Sequence, residues 1–287
     1  YWVGQQMIAG RAGNAAHVGV HVYSSRNLYD WKDEGIALEV SDDPTSDITR
    51  GCVLERPKVV RSRVTGRFVM WFHLELKGRG YATARSGVAV SDTPAGPYRY
   101  VGSFRPDAGV WPDGATPEQR TPLSDREKEI LARLRFGRST LTAAQIDLLF
   151  RRDFEGGQMA RDMTLYADDD GTVYHLYTSE ENATLHISRL SDDCLRSGGR
   201  YVRVDPGGFR EAPAVFKRGG KYWLITSGCT GWAPNAARLA VADAMLGPWE
   251  TLGNPCVGPE ADTTFRGQST FVLPVPGRPD DFIFMAD

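Results

Sequence analysis

The chain has 287 residues, of which 41% are hydrophobic and 24% are charged. These proportions are ordinary for a soluble globular protein, and the formal net charge of −2 gives no basis for binding nucleic acid or an anionic membrane surface. No apolar run approaches the roughly 20 residues of a transmembrane helix, so we expect no membrane partner. The length suits one large all-β domain or two small ones, and internal repeats favour a single domain over residues 1–287.

The first predicted element is a short strand, Tyr1–Gly4, followed by a polar loop that contains Gln5. Two types of hairpin then alternate along the chain. A hairpin of the first type begins with a polar residue, continues as an apolar run, turns at a glycine-containing loop and returns as a second apolar run. Hairpins of this type begin at Glu55, Arg161, Glu211 and Gln268. Hairpins of the second type cover Val18–Val40, Gly87–Phe104, Leu185–Val204 and Leu239–Gly253.

One hairpin of each type makes a repeat of roughly fifty residues with four short strands, which is typical of a β-propeller blade. We count three whole blades and two half blades. The opening half blade lacks its first strand, and the closing half blade, which ends at Asp287, lacks its second hairpin. The sequence therefore predicts an all-β propeller whose first and last blades are incomplete in this chain.

The first strand of every propeller blade lies nearest the central axis. The residues that begin these strands should therefore meet at one mouth of the channel, although they are far apart in sequence. They are Glu55, Asp162, Glu211 and Gln268. Three carboxylates around one small pocket repel one another and raise each other's pKa, so such a ring is more often explained by function than by folding.

Residues 106–157 interrupt the repeat between the second and third blades. Ser124 and Glu127 form a capping box that begins a helix through Phe136. Thr142 and Gln145 repeat this signature and begin a second helix that ends near Arg152. The predicted helical hairpin ends just before Asp162. It either overhangs the active face and shapes substrate access, or is an outer insertion without a functional role.

The four cysteines and the acidic turns carry no pattern that predicts a metal site. Cys229 and Cys256 flank one hairpin and could form a disulfide, which would suit an exported protein, or remain as two half-buried thiols. Cys52 and Cys194 lack metal-ligand spacing and are interpreted as packing residues. We expect neither a cofactor nor a metal ion.

Several segments together resemble glycoside hydrolase family 43, in the branch of galactan 1,3-β-galactosidases (exo-β-1,3-galactanases). The segments are ERPKV, ARDMTLY, SEENATLHIS, REAPAVF, KYWLITSGCTGWAPN and GQSTFVLPV. The resemblance implies a five-bladed β-propeller that hydrolyses glycosidic bonds with inversion at the anomeric carbon. It also implies that Glu211 is the general acid, that Asp162 positions it and tunes its pKa, and that Glu55 and Arg56 bind the terminal sugar.

The general base is the open point. In most of the family it is an Asp on the first strand of the first blade, which this chain lacks. The resemblance assigns Gln268 to holding the attacking water, but an amide is a poor proton acceptor, so Glu55 is the competing base. For the sugar we expect contacts from aromatic and polar side chains on the surrounding loops. The candidates for substrate binding are Gln5, Arg56, Tyr81, Asn182, Thr230 and Trp232.

The predicted function is exo-acting hydrolysis that releases terminal galactose from β-linked galactan or arabinogalactan side chains. The alternatives are an α-L-arabinofuranosidase or β-xylosidase of the same family, and a carbohydrate-binding propeller without catalysis. Glu211 and Asp162 favour an enzyme over the last of these. We expect an oligosaccharide or polysaccharide as the partner, a monomeric state, and a secreted or periplasmic location.

Overall fold

The computed structural model describes residues 1–8, 17–134 and 141–287. In the first two sheets the strands are β1 (Trp2–Met7), β2 (His17–Ser24) and β3 (Lys32–Glu39), then β4 (Val53–Arg61), β5 (Phe68–Glu75), β6 (Arg85–Ser91) and β7 (Arg99–Phe104). The third sheet has β8 (Met163–Ala167), β9 (Val173–Ser179), β10 (Thr184–Leu190) and β11 (Ser197–Val204). The last two have β12 (Arg210–Arg218), β13 (Lys221–Gly228), β14 (Arg238–Ala242) and β15 (Glu250–Gly253), then β16 (Ser269–Val275) and β17 (Arg278–Ala286).

Each sheet is an antiparallel meander in chain order, and the first strands of successive sheets contact one another from β1 through β4, β8 and β12 to β16. This radial arrangement confirms the predicted all-β propeller. The predicted number of blades is corrected. Among the described residues, four sheets have three or four strands and form blades, whereas β16 and β17 form only a two-stranded hairpin.

The first sheet also differs from its prediction. Tyr1–Gly4 was expected to be a strand followed by a polar loop, but β1 continues through Met7 and pairs with β2. Gln5 therefore lies within a strand rather than on a loop. No described helix is long and apolar enough to cross a membrane.

Hydrophobic clusters fill the spaces between neighbouring blades. The first lies between the first and second sheets, around Phe72 and Met70, and the second between the second and third sheets, around Trp71 and Tyr177. The third joins the third and fourth sheets through residues such as Ile187 and Leu224. Since alternate residues of a strand face opposite sides, Phe72 and Trp71 serve two different interfaces of one blade.

Gly87 is required by the packing of the second blade. It pairs with Phe72 across β5 and β6, and a Cβ at this position would lie 2.2 Å from the buried Phe72 ring. We expect Gly87→Ala to lower the free energy of unfolding by about 1–3 kcal/mol or more, because the ring has no free space to move into. Chemical denaturation measures this, with Gly4→Ala on β1 as the control, since Gly4 has no positive φ and nothing lies within 4 Å of its added Cβ.

Between β7 and β8, the described part of the chain forms two helices. They are α1 (Asp125–Arg133) and α2 (Ala143–Arg152), and each begins with the capping box read from the sequence. The first helix ends at Arg133, before the predicted Phe136, and residues 135–140 lie outside the described residues. α1 buries none of its residues, whereas α2 buries an apolar face made by Ile146, Leu148, Leu149 and Phe150.

Candidate active site

Two inner strands share a local motif in which an acid is followed by a left-handed residue and a proline. The motif covers Glu55–Pro57 in β4 and Glu211–Pro213 in β12, and the central residues Arg56 and Ala212 have φ of 54° and 53°. The ladder with the neighbouring strand is irregular at both places. Proline has no N–H to donate, and it is tolerated here because the bulge leaves this residue out of the hydrogen-bonded ladder. A bulge redirects the side chains beside it, and here both acids face the mouth of the channel.

A pocket of about 560 Å³ lies at this mouth. The four residues that begin the inner strands all line it, so their predicted convergence is confirmed. Of the candidates for substrate binding, all but Thr230 also line it; these are Gln5, Arg56, Tyr81, Asn182 and Trp232. The prediction that Thr230 binds the sugar is wrong. Its hydroxyl donates to the carbonyl of Ala233 and accepts from Asn235 Nδ2, so it shapes the loop that carries Trp232.

Glu211 lies in an environment that favours its protonated form. Burial and the nearby charge of Asp162 together raise the pKa of Glu211 to about 7. Gln268 Nε2 donates to Glu211 Oε1 at 3.2 Å, and the Cys229 thiol also hydrogen-bonds to this carboxyl group. Near neutral pH the side chain can therefore both hold a proton and give it up, as a general acid must.

Asp162 is held by the main chain of the next blade and by an arginine. The Ala212 N–H donates to Asp162 Oδ2 at 3.1 Å, and Arg56 Nη2 lies 3.4 Å from the same oxygen. The left-handed conformation of Ala212 points its N–H at this carboxylate. Arg161, which precedes Asp162 in the chain, pairs with Glu181.

Glu55 has the opposite electrostatic environment. Burial alone would raise its pKa, but the hydrogen bond and charge of His73 outweigh burial and lower it. His73 lies between Glu55 Oε2, at 3.2 Å from Nδ1, and Glu75 Oε1, at 3.0 Å from Nε2. Although burial opposes protonation, these two acids raise the pKa of His73 to about 9. Tyr81 also donates to Glu55 Oε1 at 2.7 Å, so Glu55 is an ionised, firmly oriented carboxylate.

Arg56 connects the remaining groups. Its guanidinium group donates to the Gln268 side-chain oxygen and lies 3.1 Å from Asp287 Oδ2. Gln268 Nε2 donates to Ser227 Oγ at 2.8 Å as well as to Glu211. Both ends of the Gln268 amide are thus engaged by protein groups.

The ligand atoms of Glu55, His73 and Asp162 lie within 4.8 Å of one another and could surround a cation. However, each ring nitrogen of His73 faces a carboxylate, and the raised pKa keeps a proton on both nitrogens. A doubly protonated imidazole has no lone pair for a metal ion. In this state the imidazole is ion-paired with the carboxylates of Glu55 and Glu75.

Two features of the site differ from the sequence interpretation or were missed by it. Cys229 and Cys256 are free thiols, so the possible disulfide between them is not formed. His73 was not among the site residues predicted from the sequence, yet it lines the pocket and fixes Glu55. The signal for His73 was strand register: it is the partner of Glu55 across β4 and β5.

Comparison with known proteins gives consistent matches. The sequence profile of Glycosyl hydrolases family 43 matches residues 144–285. A solved family 43 β-1,3-galactosidase in complex with galactodeoxynojirimycin is 50% identical, with a TM-score of 0.90, and the match covers 100% of this chain and 81% of that one. An exo-β-1,3-galactanase from Clostridium thermocellum is 31% identical, with a TM-score of 0.74, over 99% of this chain and 51% of that one.

A curated relative, the β-D-galactofuranosidase xynD of Aspergillus niger, is 29% identical over 110 residues. That match covers 36% of this chain and 32% of the relative's length. The 50% identical relative, by contrast, is matched over most of its length as well as over the whole of this chain. On this similarity, the chain belongs to glycoside hydrolase family 43.

Proposed function

We propose that this chain is the catalytic propeller of an exo-acting β-galactosidase that releases terminal galactose from β-linked galactan or arabinogalactan side chains, with inversion at the anomeric carbon. The observation that carries the proposal is the pairing of two unlike carboxyl groups in one pocket. Glu211, with a pKa raised to about 7, can donate a proton, whereas the pKa of Glu55 is lowered and this group stays ionised. Two carboxyl groups with divergent pKa values are the usual acid and base of a glycosidase.

In the proposed reaction Glu211 donates its proton to the glycosidic oxygen as the bond to the anomeric carbon breaks. Water attacks that carbon from the opposite face of the ring, so the configuration inverts. Asp162 does not touch the leaving group in this scheme. Its role is to keep Glu211 protonated. The contacts from the Ala212 N–H and from Arg56 hold the Asp162 carboxylate in the position from which it acts.

The proton from the attacking water needs an acceptor. Gln268 Nε2 lies 3.2 Å from Glu211, much closer than the roughly 6.5–9.5 Å between acid and base in inverting enzymes. Its amide is a poor proton acceptor and is already bonded at both ends. We therefore propose Glu55 as the base and Gln268 as a residue that orients Glu211 and the water.

The preference for galactose and for exo action is supported by the similar proteins. One was solved with a galactose-configured iminosugar, and the Clostridium thermocellum protein is named an exo-β-1,3-galactanase. Because polysaccharides do not enter the cytoplasm intact, we place the enzyme in the periplasm or outside the cell, as a monomer.

The experiment that tests the function compares 4-nitrophenyl β-D-galactopyranoside, α-L-arabinofuranoside and β-D-xylopyranoside, followed by β-1,3-linked galactooligosaccharides. We expect turnover of the galactoside, galactose as the sole small product from the oligosaccharides, and α-galactose as the first anomer seen by ¹H NMR. Faster turnover of a furanoside or xyloside would reject the galactosidase assignment. Initial formation of β-galactose would reject inversion.

Asp162→Asn should move the basic limb of the kcat/KM profile to lower pH. The Asp162 charge raises the pKa of Glu211, so its removal lowers that pKa, and Glu211 then loses its proton at lower pH. If the pKa of Glu211 fell by about one unit, the fraction of Glu211 that is protonated at pH 7 would drop from about one half to about one tenth. The measurement is kcat/KM between pH 4 and 9. Asp170→Asn, an exposed turn acid at the far end of the same hairpin, should leave the profile unchanged.

Trp232→Ala should weaken substrate binding with little effect on chemistry. The indole is 94% exposed at the rim of the pocket, which is costly unless it stacks on a sugar ring. We expect KM to rise about 10-fold, which corresponds to the loss of roughly 1.4 kcal/mol of stacking. Steady-state kinetics on a β-1,3-galactobioside measure this, and Trp232→Phe should retain most of the binding. A tenfold fall in kcat at constant KM would contradict a stacking role.

A further inference from the structure

The loop between β9 and β10 has an unusual backbone. Glu180, Glu181 and Asn182 follow one another with φ of 53°, 56° and 68°. The left-handed region is unfavourable for residues with a side chain, by roughly 1–2 kcal/mol each, and three in succession persist only where the surroundings hold them. This left-handed turn, residues 180–182, therefore needs an external support.

The first support comes from its own blade. Glu180 is fully buried and accepts hydrogen bonds from His186, Thr184 and Arg203. Arg203 approaches as a fork, with Nε 2.6 Å from Oε1 and Nη2 2.8 Å from Oε2. Bidentate, charge-assisted bonds of this kind fix both distance and orientation.

The second support is helix α2 of the segment between the second and third blades. Its Asp147 accepts from Arg203 Nη1 at 2.8 Å, and its Phe150 ring lies 4.3 Å from the Arg203 guanidinium carbon. Arg152, at the last residue of α2, donates from Nη1 to Glu181 Oε1 at 3.0 Å. The helix thus contacts both glutamates of the turn, one of them through Arg203.

The far side of the turn faces the pocket. The second oxygen of Glu181, Oε2, accepts from Arg161 Nη2 at 3.1 Å, and Arg161 Nη1 donates to Asn182 Oδ1 at 2.8 Å. Arg161 also donates to the carbonyl oxygen of Tyr81 at 2.8 Å. Arg161, Asn182 and Tyr81 line the pocket, whereas Glu181 and Arg152 are not among its lining residues.

We propose that Arg152 and Glu181 are positioning residues for sugar binding. Glu181 is shared between Arg152 on the helix and Arg161 in the pocket wall, so the helix fixes the place of Arg161 and, through it, of Asn182. This gives the segment between the blades a role in substrate binding although α2 does not itself reach the sugar. The inference rests on the proposed function, because its test measures how tightly the protein binds a galactoside substrate.

The helix supplies a matched control in the neighbouring residue. Arg151 makes comparable ion pairs, with Nη1 2.6 Å from Glu127 Oε1, but its contacts stay within the segment itself. The experiment measures kcat and KM on a β-1,3-galactobioside for Arg152→Met, Arg151→Met, Glu181→Gln and Arg152→Lys. A thermal unfolding midpoint for each variant shows whether it is folded.

We expect Arg152→Met and Glu181→Gln to raise KM about 10-fold, because both break the charge-assisted pair between Arg152 and Glu181, while kcat changes less than about 2-fold. Arg152→Met also removes the bonds from Arg152 to Asp153, which Glu181→Gln leaves in place. Arg151→Met should leave KM at the wild-type value. Arg152→Lys retains a cation and should recover part of the affinity. A purely structural role would lower the unfolding midpoint without separating KM from kcat.

The inference is overturned if Arg152→Met and Arg151→Met have the same KM, or if Glu181→Gln binds substrate as well as wild type. Should Arg152→Met fail to fold, Glu181→Gln and Arg152→Lys still decide the question. A wild-type chain that is inactive on β-galactosides would instead reject the proposed function, so the two failures are distinguishable.

Discussion

Glu211→Gln should abolish most of the hydrolysis of β-1,3-galactobiosides, with kcat lower by about 10³-fold, within the roughly 10²–10⁴-fold range for general acid–base catalysis. Glutamine preserves the shape of the side chain and can still pair with Gln268 and Cys229. It has no proton to give to the departing oxygen. A natural sugar leaving group is a strong base, so bond cleavage without protonation is slow. The measurement is steady-state kinetics on the galactobioside.

The dependence on leaving group separates the loss of an acid from general damage to the site. A 2,4-dinitrophenolate leaves without protonation, so Glu211→Gln should retain far more activity on the 2,4-dinitrophenyl galactoside than on the galactobioside. In the variant, the kcat/KM–pH profile should also lose its basic limb near pH 7, which we attribute to the titration of Glu211. If both substrates lost activity equally and the basic limb remained, Glu211 would not be the acid.

Glu55→Gln should lower kcat on every substrate by a comparable factor, about 10³-fold, whatever the leaving group. The base acts on the water, so a better leaving group does not compensate for its loss. Sodium azide, an anion that attacks without needing a base, should restore turnover and yield α-galactosyl azide. Product analysis by NMR and a kcat series over leaving groups check both expectations.

The matched variant for this test is Gln268→Ala, which changes the competing candidate. We expect it to lower activity without azide rescue, because Glu55 remains available to take the proton. If azide rescued Gln268→Ala and not Glu55→Gln, the base assignment would have to be reversed. Glu55→Gln should also lower the pKa of His73, since Glu55 is one of the two acids that raise it.

Much of the catalytic ring could be predicted because it depends on spacing alone. A polar residue at the start of each inner strand is visible as soon as the repeats are aligned, and a propeller brings those starts together. The residues that pair with these acids on the second strand of each hairpin could not be predicted, because their identity depends on the exact register of the two strands. Glu55 pairs with His73 and Glu211 with Ser227, and each pairing lies beside a β-bulge that shifts the register by one residue.

The remaining differences arise from the tertiary interactions of particular loops. Threonine is a residue type suited to sugar binding, but the hydroxyl of Thr230 accepts a hydrogen bond from Asn235. Asn235 also bonds to the backbone N–H and C=O of Gly228. The contribution of α2 could not be predicted from its capping box and apolar stripe. It depends on Arg152 and Asp147 meeting residues of β11 and of the left-handed turn, all distant in the chain.

The bulge at Ala212 has a consequence for how this site tolerates sequence change. Asp162 is anchored by a main-chain N–H of the blade that carries Glu211, not by a side chain of that blade. Glycine offers the same donor at position 212 and adds no side chain to a position that is only 2% exposed. The pKa of Glu211 should therefore not depend on the methyl group of Ala212, and Ala212→Gly should leave the activity–pH profile unchanged.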